Sequence, residues 1–95
     1  MSISQKAVFY GLRGKVLNIS PEYDSRAAEC LSKALKLDPN LINSWNELGE
    51  SYWKNSEVDA AFNCFMQANS KVYYIYFYTQ TYTQNFIIIL LYNYG

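Results

Sequence analysis

The side chains that could catalyse a reaction or bind a metal are few in this chain, and their spacing argues against both roles. The 95 residues include no histidine, and the two cysteines, Cys30 and Cys64, are separated by 34 positions. The carboxylates of Glu47 and Glu50 lie close together on a predicted helix but have no nucleophile or base beside them. The sequence therefore predicts a protein that is not an enzyme and has neither a metal site nor a cofactor.

Charge and composition exclude further classes of protein. Eight basic and eight acidic residues give a net charge of zero, which lacks the basic surface expected of a protein that binds nucleic acid directly. Hydrophobic residues make up 51% of the chain, which is not the composition of a disordered protein. No apolar segment of signal-peptide length follows the first residues, so a cytoplasmic or nuclear location, or both, is expected, with free cysteines.

The elements that position these side chains are helices with matching apolar faces. Trp45, Leu48, Gly49 and Tyr52 are three, four and seven positions apart, so they share one face of a helix. Gly49 has no β-carbon and lets a second helix approach at the middle of that face. The stripe on that second helix is Ala61, Phe65 and Ala68.

A second copy of this pattern lies upstream. Ala27, Leu31 and Ala34 each precede a residue of the downstream stripe by 34 positions. Gly14 and Leu17 precede Gly49 and Tyr52 by 35, which places one extra residue in the turn over residues 20–25. The predicted core of the two copies comprises Gly14, Leu17, Ala27, Leu31, Ala34, Trp45, Leu48, Gly49, Tyr52, Ala61, Phe65 and Ala68.

Turn and capping residues divide these copies into four predicted helices in two antiparallel pairs. The first covers residues 4–18 and the second residues 26–37, and the third and fourth cover residues 41–54 and from about residue 56 to 68 or 69. The predicted N-cap residues are Ser4, Asp24 or Ser25, Asn40 and Ser56, the last as part of a capping box with Asp59. Pro21 and Pro39 separate the first three helices.

The pattern W-x2-L-G-x2-Y followed by A-x3-F, repeated at about 34 residues, resembles the signature of the tetratricopeptide repeat family. This resemblance implies an all-α fold, with two tandem helix-turn-helix repeats as part of a right-handed α-solenoid. The expected domains are a degenerate first repeat over residues 4–39, a second repeat over residues 40–70, and a tail over residues 71–95 outside the repeat domain.

The strings from Gly14 to Tyr23 and from Trp45 to Lys54 resemble, more specifically, the N-terminal repeats of the tetratricopeptide repeat protein five (Strap) family. The similarity extends over residues 4–70. Proteins of that family look like multi-repeat adaptors that act as stress-responsive transcription cofactors and in tubulin autoregulation. The resemblance thus implies a fragment of such an adaptor, with further repeats and an OB-type domain in the full-length protein that this sequence does not contain.

In these repeats the leading helices are expected to line a concave surface that binds a protein or peptide. The candidate partner-binding residues are Lys15, Asn18, Asn46, Glu50, Trp53 and Lys54. Trp53 fits either an exposed interface anchor or a residue buried against a third repeat. Glu50 stands where chaperone-binding repeats carry an amide, which argues against a chaperone C-terminus as the ligand.

The tail has a different composition from the repeats. From Val72 onward it has no charged residue and contains seven of the ten tyrosines, and its aromatic, Ile and Thr content favours a strand. The apolar run from Phe86 to Tyr92 is too short to span a bilayer. Besides an adaptor, two alternatives remain open: a non-functional truncated product, with a tail from a retained intron, a frameshift or an erroneous gene model, and a peptide that associates with membranes through its tail.

Overall fold

The computed structural model describes the backbone of residues 1–94 and, beyond residue 72, the side chains of residues 79, 83, 84, 87 and 89–93. Over that range the chain forms four helices and no strand: α1 (Ile3–Leu17), α2 (Ser25–Leu37), α3 (Ile42–Lys54) and α4 (Val58–Tyr94). Helix α1 packs against α2, α3 packs against α4, and α2 packs against α3. The predicted all-α fold of two tandem helical pairs is confirmed.

The first two helices begin with side-chain caps. Ser2, rather than the predicted Ser4, caps α1 and forms a capping box with Gln5. Asp24 caps α2 and accepts a hydrogen bond from the backbone N–H of Arg26 at 2.9 Å. Hydrogen bonds from the Arg26 side chain also hold the pKa of the Asp24 carboxyl below its usual value. These caps satisfy backbone donors that a helix start leaves free.

One core runs through both helical pairs. The buried apolar residues are Ala7, Ala27, Ala28, Cys30, Leu31, Ala34, Leu35, Leu48, Ala61, Cys64 and Ala68. Gly14 and Gly49 are buried, and Leu17, Trp45 and Tyr52 are partly buried. The Trp45 indole Nε1–H also donates a hydrogen bond to the backbone carbonyl of Pro39 at 2.7 Å, which ties α3 to the preceding turn.

Phe65 is the core prediction that the structure contradicts, because its side chain is 38% exposed. One face of its ring lies against Gly49, where an added β-carbon would be 2.6 Å from Cε1. The equivalent residue in the first pair, Leu31, is fully buried because α3 follows and covers α2. In the part of the chain that the structure describes, no helix covers α4 in the same way.

Gly14 and Gly49 occupy equivalent places in the two pairs. A methyl group at Gly14 would lie 2.5 Å from Cγ of Leu31 and 3.2 Å from the backbone oxygen of Ala27. The three atoms nearest to a methyl group at Gly49 would all belong to the ring of Phe65. Each glycine thus brings its helix into close contact with the following helix. The separation is 17 residues in the first pair and 16 in the second, so the first pair contains one additional residue.

We expect alanine at these two positions to have different effects on stability. For Gly14→Ala, overpacking should cost roughly 1–3 kcal/mol, because Leu31 and the Ala27 backbone are buried. The higher helix propensity of alanine should offset only about 1 kcal/mol of that cost. For Gly49→Ala, the half-exposed Phe65 ring can turn aside, so the net change should lie within about 0.5 kcal/mol of zero. Urea unfolding followed by circular dichroism measures both. A larger loss for Gly49→Ala than for Gly14→Ala would contradict this packing.

The turn between α3 and α4 differs from its predicted role. Ser56 was expected to cap α4, but α4 begins at Val58 and Ser56 instead has a positive φ of 60° just after α3. Its N–H donates to the Trp53 carbonyl at 3.0 Å, and the Glu57 N–H donates to the Tyr52 carbonyl at 2.9 Å. This is the Schellman pattern that ends helices at a left-handed residue, usually glycine.

Ser56→Gly is therefore expected to stabilise the protein. A residue with a β-carbon costs roughly 1–2 kcal/mol in the left-handed region, and the added backbone freedom of glycine in the unfolded state offsets part of that gain. We expect a net gain of about 0.5–1 kcal/mol in the free energy of unfolding. Ser56→Ala is the matched control, since it keeps the β-carbon and should bring no gain. Equal stability of the two variants would contradict the strained turn.

Helix α4 continues far beyond its predicted end at residue 68 or 69, and the preference of the tail for strand is wrong. No proline or glycine occurs between residues 50 and 94, so no backbone signal ends the helix. Helical geometry also accommodates Thr83, whose hydroxyl donates to the Thr79 carbonyl one turn earlier at 2.9 Å. Among the described residues, no helix combines the length and apolar character needed to cross a membrane.

Candidate functional site

A groove of about 430 Å³ separates α1 from the first turns of α3. One wall is a single face of α1 that carries Val8, Gly11, Leu12 and Lys15. The other wall is formed by residues 40–44 together with Glu47. Its lining is thus largely apolar, with one positive and one negative side chain, which is the usual composition of a site that binds a ligand and fixes its orientation.

Gly11 brings α1 and α3 together at the base of the groove. A methyl group at this position would lie 2.9 Å from the hydroxyl oxygen of Ser44 and 3.9 Å from the β-carbon of Ala34. Ser44 is 6% exposed, although it lies among the groove residues. The small residues on each helix therefore set how closely the walls approach.

A network of hydrogen bonds joins α1 to α3 at the end of the groove near Glu47. The Asn18 side-chain amide donates to the backbone carbonyl of Glu47 at 3.1 Å and to its carboxylate at 2.9 Å. The Lys54 ammonium donates to the backbone carbonyls of Asn18 and Ser20, both at 2.7 Å, and to the Asn18 side-chain oxygen at 3.2 Å. A longer contact of 3.7 Å joins Lys54 to Glu50. The network links the end of α1 to α3 and so couples the two helical pairs.

Four of the six candidate partner-binding residues are exposed. Lys15 lies in the groove and is exposed. Asn46, Glu50 and Trp53 are also exposed but are not groove residues, and the side chain of Trp53 is 61% exposed.

Asn18 and Lys54 are not available as free surface groups, which corrects the sequence-based prediction. Asn18 is 4% exposed, and the side chain of Lys54 is 12% exposed. Their polar atoms already take part in the network between α1 and α3. We therefore assign them a positioning role, because they hold the two walls at a defined separation.

Sequence reasoning missed most of the groove. Val8, Leu12 and residues 40–44 were not identified, because the pattern of the repeat core says nothing about its exposed faces. One signal was available: α1 carries more apolar residues than a single buried face needs, and Val8, Leu12 and Val16 remain exposed. An exposed apolar surface of this kind is typical of a binding site.

The cysteines provide no reactive centre in the structure. Cys30 and Cys64 are both free and buried, and burial raises the pKa of the Cys64 thiol. A raised pKa leaves less of the nucleophilic thiolate at neutral pH. The residues that the structure describes also contain no group of three or more side chains that could hold a metal ion.

Comparison with known proteins identifies the repeat. A family model described as "TPR repeat" matches residues 24–56, which contain α2, the turn after it and α3. Residues 24–56 thus match a tetratricopeptide repeat. In this family the repeats are generally protein-interaction modules and typically non-enzymatic scaffolds.

Similar curated proteins carry the same repeat. The chain is 51% identical over 67 residues to "Tetratricopeptide repeat protein 5" of Homo sapiens, which covers 70% of this chain and 15% of the human protein. It is 49% identical over 67 residues to the Bos taurus protein of the same name, with the same coverage. For the Mus musculus protein the identity is 51% over 57 residues, or 60% of this chain and 13% of the relative. The chain thus matches only about 15% of the length of these relatives.

Proposed function

We propose that this chain is a protein-protein interaction module that binds a peptide segment in the groove between α1 and α3. The groove itself carries the proposal, because it has an apolar lining, a volume of about 430 Å³ and two opposite charges. Val8 and Leu12 would contact apolar side chains of the peptide, while Lys15 and Glu47 would orient it. General use of tetratricopeptide repeats in protein interaction supports this function.

The similarity to tetratricopeptide repeat protein 5 supports a finer proposal. By this resemblance the chain belongs to an adaptor of the stress-response and transcription-cofactor type that also acts in tubulin autoregulation. Such an adaptor would work in the cytoplasm, the nucleus or both. We propose no catalytic role and no cofactor. We also propose no direct contact with nucleic acid, since a net charge of zero lacks the basic surface that such binding needs.

A second exposed surface supports the presence of further repeats in a longer protein. Phe62 and Met66 on α4 are 62% and 55% exposed. The residues 34 positions earlier, Ala28 and Ser32, lie on α2, which packs against α3. A following repeat would therefore stack on α4 through these side chains. Trp53 would serve either in that contact or as an exposed anchor for a partner.

The two alternatives make different predictions. A non-functional truncated product should be poorly soluble, because repeats of this kind need neighbours to bury their faces. A membrane-associated peptide should direct a soluble reporter to membranes through residues 71–95 alone. The groove favours neither, since it lies in residues 8–47, and it is the specific observation that supports the adaptor.

Selection of peptides from a random display library tests the groove. The full 95-residue chain serves as bait, and the selected peptides are measured by isothermal titration against two variants. Leu12→Asp places a charge in the groove and should weaken binding at least tenfold, or about 1.4 kcal/mol. Val16→Asp is the matched control, because Val16 lies one turn away on the same helix, is 64% exposed and does not line the groove.

The control variant should bind within about twofold of the original chain, since an exposed charge away from a contact has little effect on affinity. Circular dichroism should show the same helix content in both variants. Equal loss of binding in the two, or no loss in either, would overturn the groove as the binding site.

A further inference from the structure

The start of α3 differs from the starts of α1 and α2, because no side chain caps it. Its N-cap residue is Leu41, which has no acceptor atom in its side chain. The backbone N–H groups of Ile42, Asn43 and Ser44 have no hydrogen-bond acceptor among the described residues. These three residues are also part of the groove wall. The groove therefore contains three unpaired donors at the positive end of a 13-residue helix.

The side chain of Ser44 adds an independent donor at the same place. Ser44 is 6% exposed and lines the groove, and its hydroxyl has no hydrogen-bond partner in the part of the chain that the structure describes. Its oxygen lies close to Gly11 on the opposite wall, where an added β-carbon would be 2.9 Å away. Only Ser51 has a fully enclosed, unpaired hydroxyl among the described residues, so the Ser44 oxygen keeps access to the groove. A ligand in the groove could therefore pair with it.

The positive end of α3 and the Lys15 ammonium are the groups here that attract an anion. Lys15 stands on the opposite wall and is exposed, so its ammonium can reach a ligand in the groove. Two carboxylates nearby remain negative, although each accepts a hydrogen bond from a neutral donor. Glu47 accepts a hydrogen bond from Asn18 at 2.9 Å, and Asp38 accepts one from the backbone N–H of Asn40 at 3.0 Å.

We propose that the start of α3, the Ser44 hydroxyl and Lys15 bind the carboxylate of an acidic side chain in the peptide that occupies the groove. This inference rests on the proposed function of the groove and specifies its ligand. Helix N-terminal N–H groups bind carboxylates well, and hydrogen bonds to a charged acceptor are stronger than neutral ones. The lining continues on both sides of these donors, to Asn40 and to Glu47, so peptide residues on both sides of the carboxylate would have contacts. An internal Asp or Glu therefore fits better than a chain terminus.

Three short peptides test this proposal by ¹⁵N–¹H NMR titration of the full chain. They are Ac-Leu-Glu-Leu-NH₂, its neutral analogue Ac-Leu-Gln-Leu-NH₂, and Ac-Leu-Leu with a free C-terminal carboxylate. The glutamate peptide should shift the amide signals of Ile42, Asn43 and Ser44. It should bind about fivefold or more tightly than the glutamine peptide, because only the carboxylate is charged.

Two serine variants separate the site from a general effect on the helix. Ser44→Ala should weaken binding of the glutamate peptide about fivefold, since one donor to the carboxylate is lost. Ser51→Ala is the matched control, because Ser51 is a fully buried serine on the same helix, lacks a hydrogen-bond partner, and is not a groove residue. It should leave the affinity unchanged. Lys15→Gln should weaken the glutamate peptide and not the glutamine peptide.

Each contrary result has a distinct meaning. Equal binding of the glutamate and glutamine peptides in the groove would overturn the carboxylate site and leave the proposed function standing. Tighter binding of the peptide with the free C-terminus would overturn the choice of an acidic side chain. No shift with any of the three peptides would overturn the carboxylate site, and the display selection would still decide whether the groove binds other peptides.

Discussion

Replacement of Leu31 by alanine is expected to lower the free energy of unfolding by about 3 kcal/mol. Leu31 is fully buried, it covers Gly14, and it belongs to the cluster that joins α2 to α3 and α4. Truncation removes apolar contacts and leaves a cavity that Gly14 has no side chain to fill. Urea unfolding followed by circular dichroism measures the change.

Leu37→Ala provides the control for this prediction. Leu37 is the last residue of the same helix and is 37% exposed. Its truncation should cost about 1 kcal/mol or less, because the side chain already contacts water and water can enter the space that is left. Similar losses for the two variants would show that α2 does not pack between α1 and α3 as described.

Replacement of Lys54 by methionine is expected to cost about 2–3 kcal/mol. Methionine keeps the length of the side chain but removes the ammonium that donates to the carbonyls of Asn18 and Ser20 at 2.7 Å. Those carbonyls lie just after α1, where a cation also interacts favourably with the helix dipole. The partly buried Asn18 carbonyl would then lack a donor, which is the costly case, whereas the exposed Ser20 carbonyl can bind water. The same urea experiment measures the loss.

Lys33→Met is the matched control. Lys33 pairs with Glu29 at 3.5 Å on the surface of α2, and both side chains are more than half exposed. An exposed pair of this kind contributes about 0.5 kcal/mol or less. If Lys54→Met costs no more than Lys33→Met, the network between α1 and α3 does not couple the two pairs.

The repeat core was predictable because its residues recur at a regular spacing along the sequence. The spacing of Gly14 and Gly49, and of the residues that face them, follows from the need for two helices to approach closely. Phe65 departs from the prediction because its burial depends on a helix that would lie beyond α4. The same periodicity therefore predicts which residues face a neighbouring helix but not whether that neighbour is present.

The length of α4 could not be predicted from residue preference. Aromatic and β-branched residues favour strands, but this preference is weak and depends on a partner strand. A helix that has already formed continues at low cost, because each added residue gains a backbone hydrogen bond. The absence of proline and glycine between residues 50 and 94 was the better guide.

Only a small part of the site was within reach of the sequence. Lys15 was identified, and it lies in the groove. Asn18 and Lys54 were predicted to bind a partner, but they bond to each other across 36 positions of the chain, and no sequence pattern shows such pairs. Ser44 was missed because its interest lies in an absent hydrogen bond, which only a structure can reveal.

The most direct test of the groove as the binding site is to map a display-selected peptide on the full chain by ¹⁵N–¹H NMR. We predict that the amide signals of Gly11, Leu12, Lys15 and residues 40–44 shift on binding, while those of Trp53, Phe62 and Met66 do not. Shifts confined to these last three residues would contradict the account, since the peptide would then bind on α4 and the end of α3, and the groove would not be the binding site.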